Sequence, residues 1–322
     1  MEIFSCSVMT GGAKCNASCP YCISKMTGIE KMPATPNWSR FKKFVLLAKE
    51  GNAQTILFTG KGEPTLYPDT VFQYLDRLNG ILWPYQLWQI GRFTRRCGRF
   101  LWANPIMDDI PFSFVELQTN GIRLQKMEDD LREWRKLGLN LICLSITHYD
   151  SFRNAQIMRH GSKEPLFVIW DTVQFLRDLD FDVRINVTSV KGGIDCIDEV
   201  VALKASCKQY DVKHLTIRDV TSPDKDQSKC KAATEWVEKN QVNLVGTKEN
   251  PGELFKYIED IATFLWPLPH GARVYDWDGQ NINLNDCITD SPNMNEIRQI
   301  IFYPSKTGWR IRHDWKYEGA VL

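Results

Sequence analysis

Three of the chain's ten cysteines stand together in AKCNASCPYCISKM, residues 13–26. Cys15, Cys19 and Cys22 form a CxxxCxxC run. In a reducing compartment such spacing reads as a metal site rather than a disulfide framework. The number of thiols matters. A structural zinc site closes its tetrahedron with four ligands. Here no histidine precedes His148, and Cys6 lies upstream in an expected strand. An iron–sulfur cube that only carries electrons also takes four thiolates. Three thiolates on a cube leave one iron open, and an open position is how a metal centre acts on a bound ligand. The competing assignment is a zinc knuckle with a distant fourth ligand.

A second stretch, AQTILFTGKGEPTLYPD at residues 53–69, is an apolar strand running into a glycine-rich turn, with a helix expected after it. Its glycines let backbone approach a ligand closely, and the carboxylate of Glu63 is a natural acceptor for an ammonium. CxxxCxxC with the aromatic Tyr21 before its last cysteine, followed by Gly62-Glu63-Pro64, resembles the radical S-adenosylmethionine (SAM) superfamily. The resemblance implies a [4Fe–4S] cluster on Cys15, Cys19 and Cys22 whose open iron chelates the amino and carboxylate groups of SAM. It places Tyr21 and Gly62 at the cofactor and Glu63 on the SAM amino group. Lys61 departs from the family's GGEP pattern. The implied activity is reductive cleavage of SAM to methionine and a 5′-deoxyadenosyl radical that abstracts hydrogen from a substrate. An electron donor such as flavodoxin or ferredoxin is the implied partner.

The surrounding elements must hold these two stretches together. Apolar residues make up 43% of the 322-residue chain and charged residues 25%, as in a globular enzyme. A net charge of +1 creates no general attraction to nucleic acid or an acidic membrane. The amino terminus does not read as a signal peptide. No run approaches the roughly 18 apolar residues of a membrane span, so a cytoplasmic location with reduced cysteines is expected. Strands are predicted at 3–9, 54–59, 113–119, 140–146, 182–188 and 213–219. Helices are predicted at 38–50, 69–78, 127–137, 165–179, 195–209 and 228–240. Their alternation argues for parallel βα units. The expected fold class is α/β, and six units suit the superfamily's partial (βα)6 TIM-like barrel. Residues 1–240 are expected to form this core, with an insertion at 80–112. Residues 241–322 are expected to form a small α+β extension whose hairpins, one on Asp278-Gly279, cover the barrel.

Three strands alternate apolar with polar side chains: Glu116, Gln118 and Asn120 on the third; Arg184, Asn186 and Thr188 on the fifth; His214, Thr216 and Arg218 on the sixth. The apolar set faces helices and the polar set a wet lumen. The family resemblance implies SAM contacts from Thr119, Asn120, Ser145 and Asn186. SITHYDSF and VTSVKGGID also resemble the GTP-rearranging cyclase of molybdenum-cofactor synthesis, but the second cysteine triplet of that type is absent. By that resemblance Lys191 and Arg218 face the substrate. With Arg184 they suggest a small anionic substrate, nucleotide-like or another metabolite; internal pairing of these cations with Glu116 is the competing explanation. His148, beyond the fourth strand, is the candidate proton carrier, and Asp150 a helix cap. Arg92, Arg95, Arg96 and Arg99 would share one face if residues 91–101 are helical. A peptide-modifying radical enzyme, or a zinc-binding interaction module without redox chemistry, are the alternatives.

Overall fold

A computed structural model describes residues 3–28, 35–94, 112–159, 167–223, 225–247, 250–268, 272–285, 297–305 and 308–312. Six strands run parallel in chain order: β1 (Ile3–Met9), β2 (Thr55–Thr59), β3 (Phe114–Thr119), β4 (Leu141–Ile146), β5 (Asp182–Ser189) and β6 (His214–Asp219). The helices are α1 (Ile23–Thr27), α2 (Trp38–Glu50), α3 (Pro68–Thr94), α4 (Glu128–Lys136), α5 (Ser151–Met158), α6 (Ile169–Asp178), α7 (Ile197–Gln209), α8 (Lys231–Asn240) and α9 (Glu253–Ile261). The result is the partial TIM-like barrel that the alternation implied.

The later strands join the same sheet: β7 (Thr263–Pro267), β8 (Arg273–Trp277), β9 (Gln280–Leu284), β10 (Ile297–Ser305) and β11 (Gly308–Arg312). Strand β10 lies parallel to β1, and β9 parallel to β6. Antiparallel β11 flanks β10, and β8 then β7 flank β9. The order across the eleven-stranded sheet is β11-β10-β1-β2-β3-β4-β5-β6-β9-β8-β7. The carboxy-terminal hairpins thus lengthen the barrel wall at both ends. The β8–β9 turn falls on Asp278 and Gly279, with φ of 52° and 81°, as a tight turn matching strand twist requires.

Alternation decides which face each side chain takes. Val115, Leu117, Val183, Ile185, Val187, Leu215 and Ile217 are buried with helix residues such as Phe41, Phe44, Leu131, Trp134, Val173 and Leu203 in one core. Each such side chain stabilises the fold by roughly 1.5–3 kcal/mol. Their neighbours, Glu116, Gln118, Arg184, Asn186, Thr216 and Arg218, therefore point the other way, into the lumen. Asn37 caps α2 by accepting from Arg40 N–H at 3.0 Å, and Asp150 caps α5 by accepting from Arg153 N–H at 2.8 Å. The second predicted helix continues to Thr94. Residues 95–111, with most of the arginine stripe, lie outside the described residues.

Candidate active site

The cysteine loop leaves the end of β1, and the turn after β2 sits directly upon it. Glu63 N–H donates to the Lys14 carbonyl at 2.9 Å. A Cβ on Gly62 would lie 2.1 Å from that same oxygen, so only glycine allows the two loops to meet. Tyr67 braces the contact, its hydroxyl accepting from Lys14 N–H at 3.0 Å. Cys22 opens α1, with its carbonyl accepting from Lys25 N–H at 3.0 Å. Helix α1 in turn packs on α8 through Met26, Ala233 and Val237. Tyr21 lies against Trp236, ring centroids 5.8 Å apart, and its hydroxyl bonds to Cys19.

The donor chemistry of the loop suits a cationic metal group. Burial pushes the Cys19 thiol up to about 12, and Cys22 and Cys15 push it the same way. Burial also raises Cys15; Glu63 and Cys22 add to this, while Ala17 N–H and Asn120 oppose it. Crowded thiols that resist ionisation together are stabilised as thiolates by iron, which supplies the missing positive charge. Cys6 and Cys143 face elsewhere: Cys6 is buried in the core and donates to the Thr55 carbonyl, and Cys143 lies beside Arg184 and Glu116. Among the described residues no three His, Cys, Asp or Glu side chains converge on a single ion-sized position.

Glu63 is 3% exposed, and its carboxylate accepts from four protein donors. Oε1 accepts from Thr65 N–H at 3.1 Å, Thr65 Oγ1 at 2.8 Å and Thr119 Oγ1 at 2.6 Å. Oε2 accepts from Asn120 N–H at 2.9 Å. Glu63 thus ties the β2 turn to the end of β3, beyond the ammonium contact expected of it. Asn120 Nδ2 continues the link to the cysteine loop, donating to Asn16 Oδ1 at 2.7 Å and Cys15 Sγ at 3.8 Å. Below this lie Gln118 and Ser145, joined at 3.3 Å, and Asn186 beside Ser145 in register.

The expected cations separate. Arg184 pairs with Glu116 across β3 and β5, so the competing explanation of internal pairing holds for this residue. Lys191 is exposed on the loop after β5, its backbone N–H donating to Asn240 O at 2.8 Å. Arg218 is half-buried in the lumen, and its Nε has no hydrogen-bond partner among the described residues. The fold does not bring His148 to this group. Thr147 follows the lumen parity of β4, so His148 points to the helices. Its Nδ1 accepts from Asp150 N–H at 2.8 Å, and its Nε2 faces Glu199 Oε2 at 3.4 Å. Burial lowers its pKa, opposed by Glu199.

Strand β9 adds lumen residues absent from the sequence-based site. Ile282 and Leu284 enter the core, which turns Asn281, Asn283 and Asn285 to the other face. The alternating run QNINLN carried that signal.

A family model for the radical SAM superfamily matches residues 9–203, more than half of the chain. Among solved structures, the chain is similar to Streptococcus suis SuiB bound to S-adenosylmethionine, at 12% identity and a TM-score of 0.60, covering 100% of this chain and 62% of that one. It is also similar to SuiB bound to the precursor peptide SuiA, at 14% identity and a TM-score of 0.52, covering 80% of this chain and 47% of that one. The chain spans less than two thirds of SuiB's length, and at such identities the likeness is one of fold. No curated protein matches it. Among the described residues no helix is long and apolar enough to cross a membrane.

Proposed function

The chain belongs to the radical SAM superfamily, and on that premise we propose that it is an enzyme acting by hydrogen abstraction on a polar substrate held in the barrel lumen. When bound, the superfamily's [4Fe–4S] cluster and SAM supply one electron and a 5′-deoxyadenosyl radical. Cys15, Cys19 and Cys22 would hold the cluster. The observation carrying this reading is the seating of the Gly62-Glu63 turn on the cysteine loop, with Lys14 O and Gly62 in direct contact. It sets three thiols and the turn carrying Glu63, the residue expected to take the SAM ammonium, at one mouth of the parallel sheet, the end where barrel enzymes do chemistry.

The residues have separable tasks. Glu63, Thr119 and Asn120 fix the two loops against each other. Tyr21 orients Cys19, while Trp236 shields that side from water. Gln118, Ser145 and Asn186 present hydroxyl and amide groups suited to the polar parts of SAM. The Glu116–Arg184 pair neutralises the lumen floor. Arg218 offers one guanidinium to an acceptor group of the substrate, a carboxylate or carbonyl oxygen. The anionic expectation narrows accordingly, from three cations to this one. A ferredoxin- or flavodoxin-type donor and a cytoplasmic setting complete the proposal.

Anaerobic purification and reconstitution test it. A brown protein with near four irons and four sulfides, forming 5′-deoxyadenosine from SAM under a reductant, is the expected outcome. A colourless zinc protein that leaves SAM intact would sink the proposal in favour of an interaction module.

A further inference from the structure

The lumen wall formed by β6 and β9 lies beyond residues 9–203, the stretch that the superfamily's model matches. In register His214 pairs with Asn281 and Thr216 with Asn283. Asn285 continues the ladder, its N–H donating to Ile217 O at 3.1 Å. Asn283, Asn285, Thr216 and Arg218 therefore line one strip at the mouth of the lumen.

This strip holds a cluster of polar atoms left without partners. Arg218 Nε, Asn283 Oδ1 and Asn285 Oδ1 are buried and bond to nothing among the described residues. Native proteins rarely leave such groups unpaired, and a bound ligand is one standing explanation. The three residues as a whole are half-buried, and strand parity turns them away from the core that Ile282, Leu284 and Ile217 fill.

The chemistry of the strip is specific. Arg218 offers an N–H donor, and the two asparagines offer neutral acceptors. Arg184 is already matched by Glu116, and burial, with the nearby Arg184 charge, holds His214 below its usual pKa. A phosphate would meet one guanidinium but could not satisfy the two unpartnered asparagine oxygens, which accept and do not donate. An amide fits better, because it carries a C=O for Arg218 and N–H groups for the asparagines.

We propose that Arg218, Asn283 and Asn285 form a recognition wall for an amide-bearing substrate, either a peptide backbone or a free carboxamide. This rests on the preceding reading only in taking the lumen as the substrate site.

The test uses reconstituted full-length protein with SAM bound and four probes: acetyl-Ala-Ala-amide, propionamide, acetate and inorganic phosphate. Saturation-transfer NMR or calorimetry ranks their affinities. One of the two amides should bind more tightly than acetate or phosphate, and the tighter amide identifies the source. Asn283→Leu and Asn285→Leu should each weaken it tenfold or more, with iron content and SAM affinity unchanged in the same preparations. If a leucine variant does not fold, Asn283→Ser and Asn285→Ser, which shorten the side chain, should show the same loss. Tighter binding of phosphate, amide affinity indifferent to all four substitutions, or no amide binding would each overturn the wall. Iron content and SAM binding of the wild type report separately on the superfamily chemistry.

Discussion

Glu63→Gln separates two roles for the buried carboxylate. In the folded protein Oε1 takes three donors and Oε2 takes Asn120 N–H at 2.9 Å. A glutamine oxygen can keep the first set. Its amide nitrogen must then face Asn120 N–H, donor against donor. One charge-assisted bond, worth about 1.5–3 kcal/mol, is lost, and a buried N–H is left unpaired. Cluster-free protein should therefore lose about 2–3 kcal/mol in urea unfolding. Thr119→Val, which removes the 2.6 Å donor, should lose roughly 1 kcal/mol. SAM affinity of the loaded Gln variant should fall about tenfold or more. The pH dependence adds a sign. Burial raises the Glu63 carboxyl above its ordinary 4.5, with Thr119, Asn120 and Thr65 opposing. A raised folded-state pKa adds stability that is fully present below pH 4.5 and is lost as pH rises through the folded value. The Gln variant should lack that component. An unchanged urea midpoint alongside collapsed SAM affinity would refute the anchoring role and leave Glu63 as a ligand contact alone.

Other outcomes follow from the same geometry. Replacing Cys15, Cys19 or Cys22 by Ala should abolish cluster content measured by iron analysis, whereas Cys207→Ala, in the core of α7, should retain it. In cluster-free protein Cys19, with its thiol near 12, should be about 10⁻⁴ ionised at pH 8. Its alkylation, followed by mass spectrometry, should accelerate about tenfold per pH unit up to pH 10, and a pH-independent rate would contradict the burial argument. Arg184→Met leaves Glu116 buried and unmatched and should cost about 3 kcal/mol in urea unfolding. Adding Glu116→Gln should recover most of that, and strictly additive losses would show that the two side chains do not interact.

Much of this arrangement is legible in the residues. Alternation alone assigns Glu116, Arg184 and Arg218 to the lumen, because Val115, Ile185 and Ile217 have only the helix side to fill. The predicted limits of β1 and α2 coincide with the structure. Alternation does not say which charges meet, and the Glu116–Arg184 pair depends on strand register, which is a tertiary property. Nearness to the strand end and strand parity point different ways for His148: one residue past Thr147, its side chain turns to the face that Glu199 shares. A hairpin signal such as Asp278-Gly279 carries no information about which third strand the hairpin joins, so the pairing of β9 with β6 is legible only in the fold.

The pairing of β1 with β10 has a consequence in time. Ile3 lies in parallel register with Ile297, so the strand that launches the cysteine loop waits for about 290 further residues to be made. At about 5–20 residues per second, the interval between the two strands leaving the ribosome is roughly 15–60 s. Throughout it one edge of β1 is open, and the loop hangs from a half-paired strand. Iron delivered during that interval would meet three thiols without their finished scaffold. Loading of the mature site accordingly belongs after synthesis, and a chain cut short before β10 would expose as a free edge the strand that carries its metal ligands.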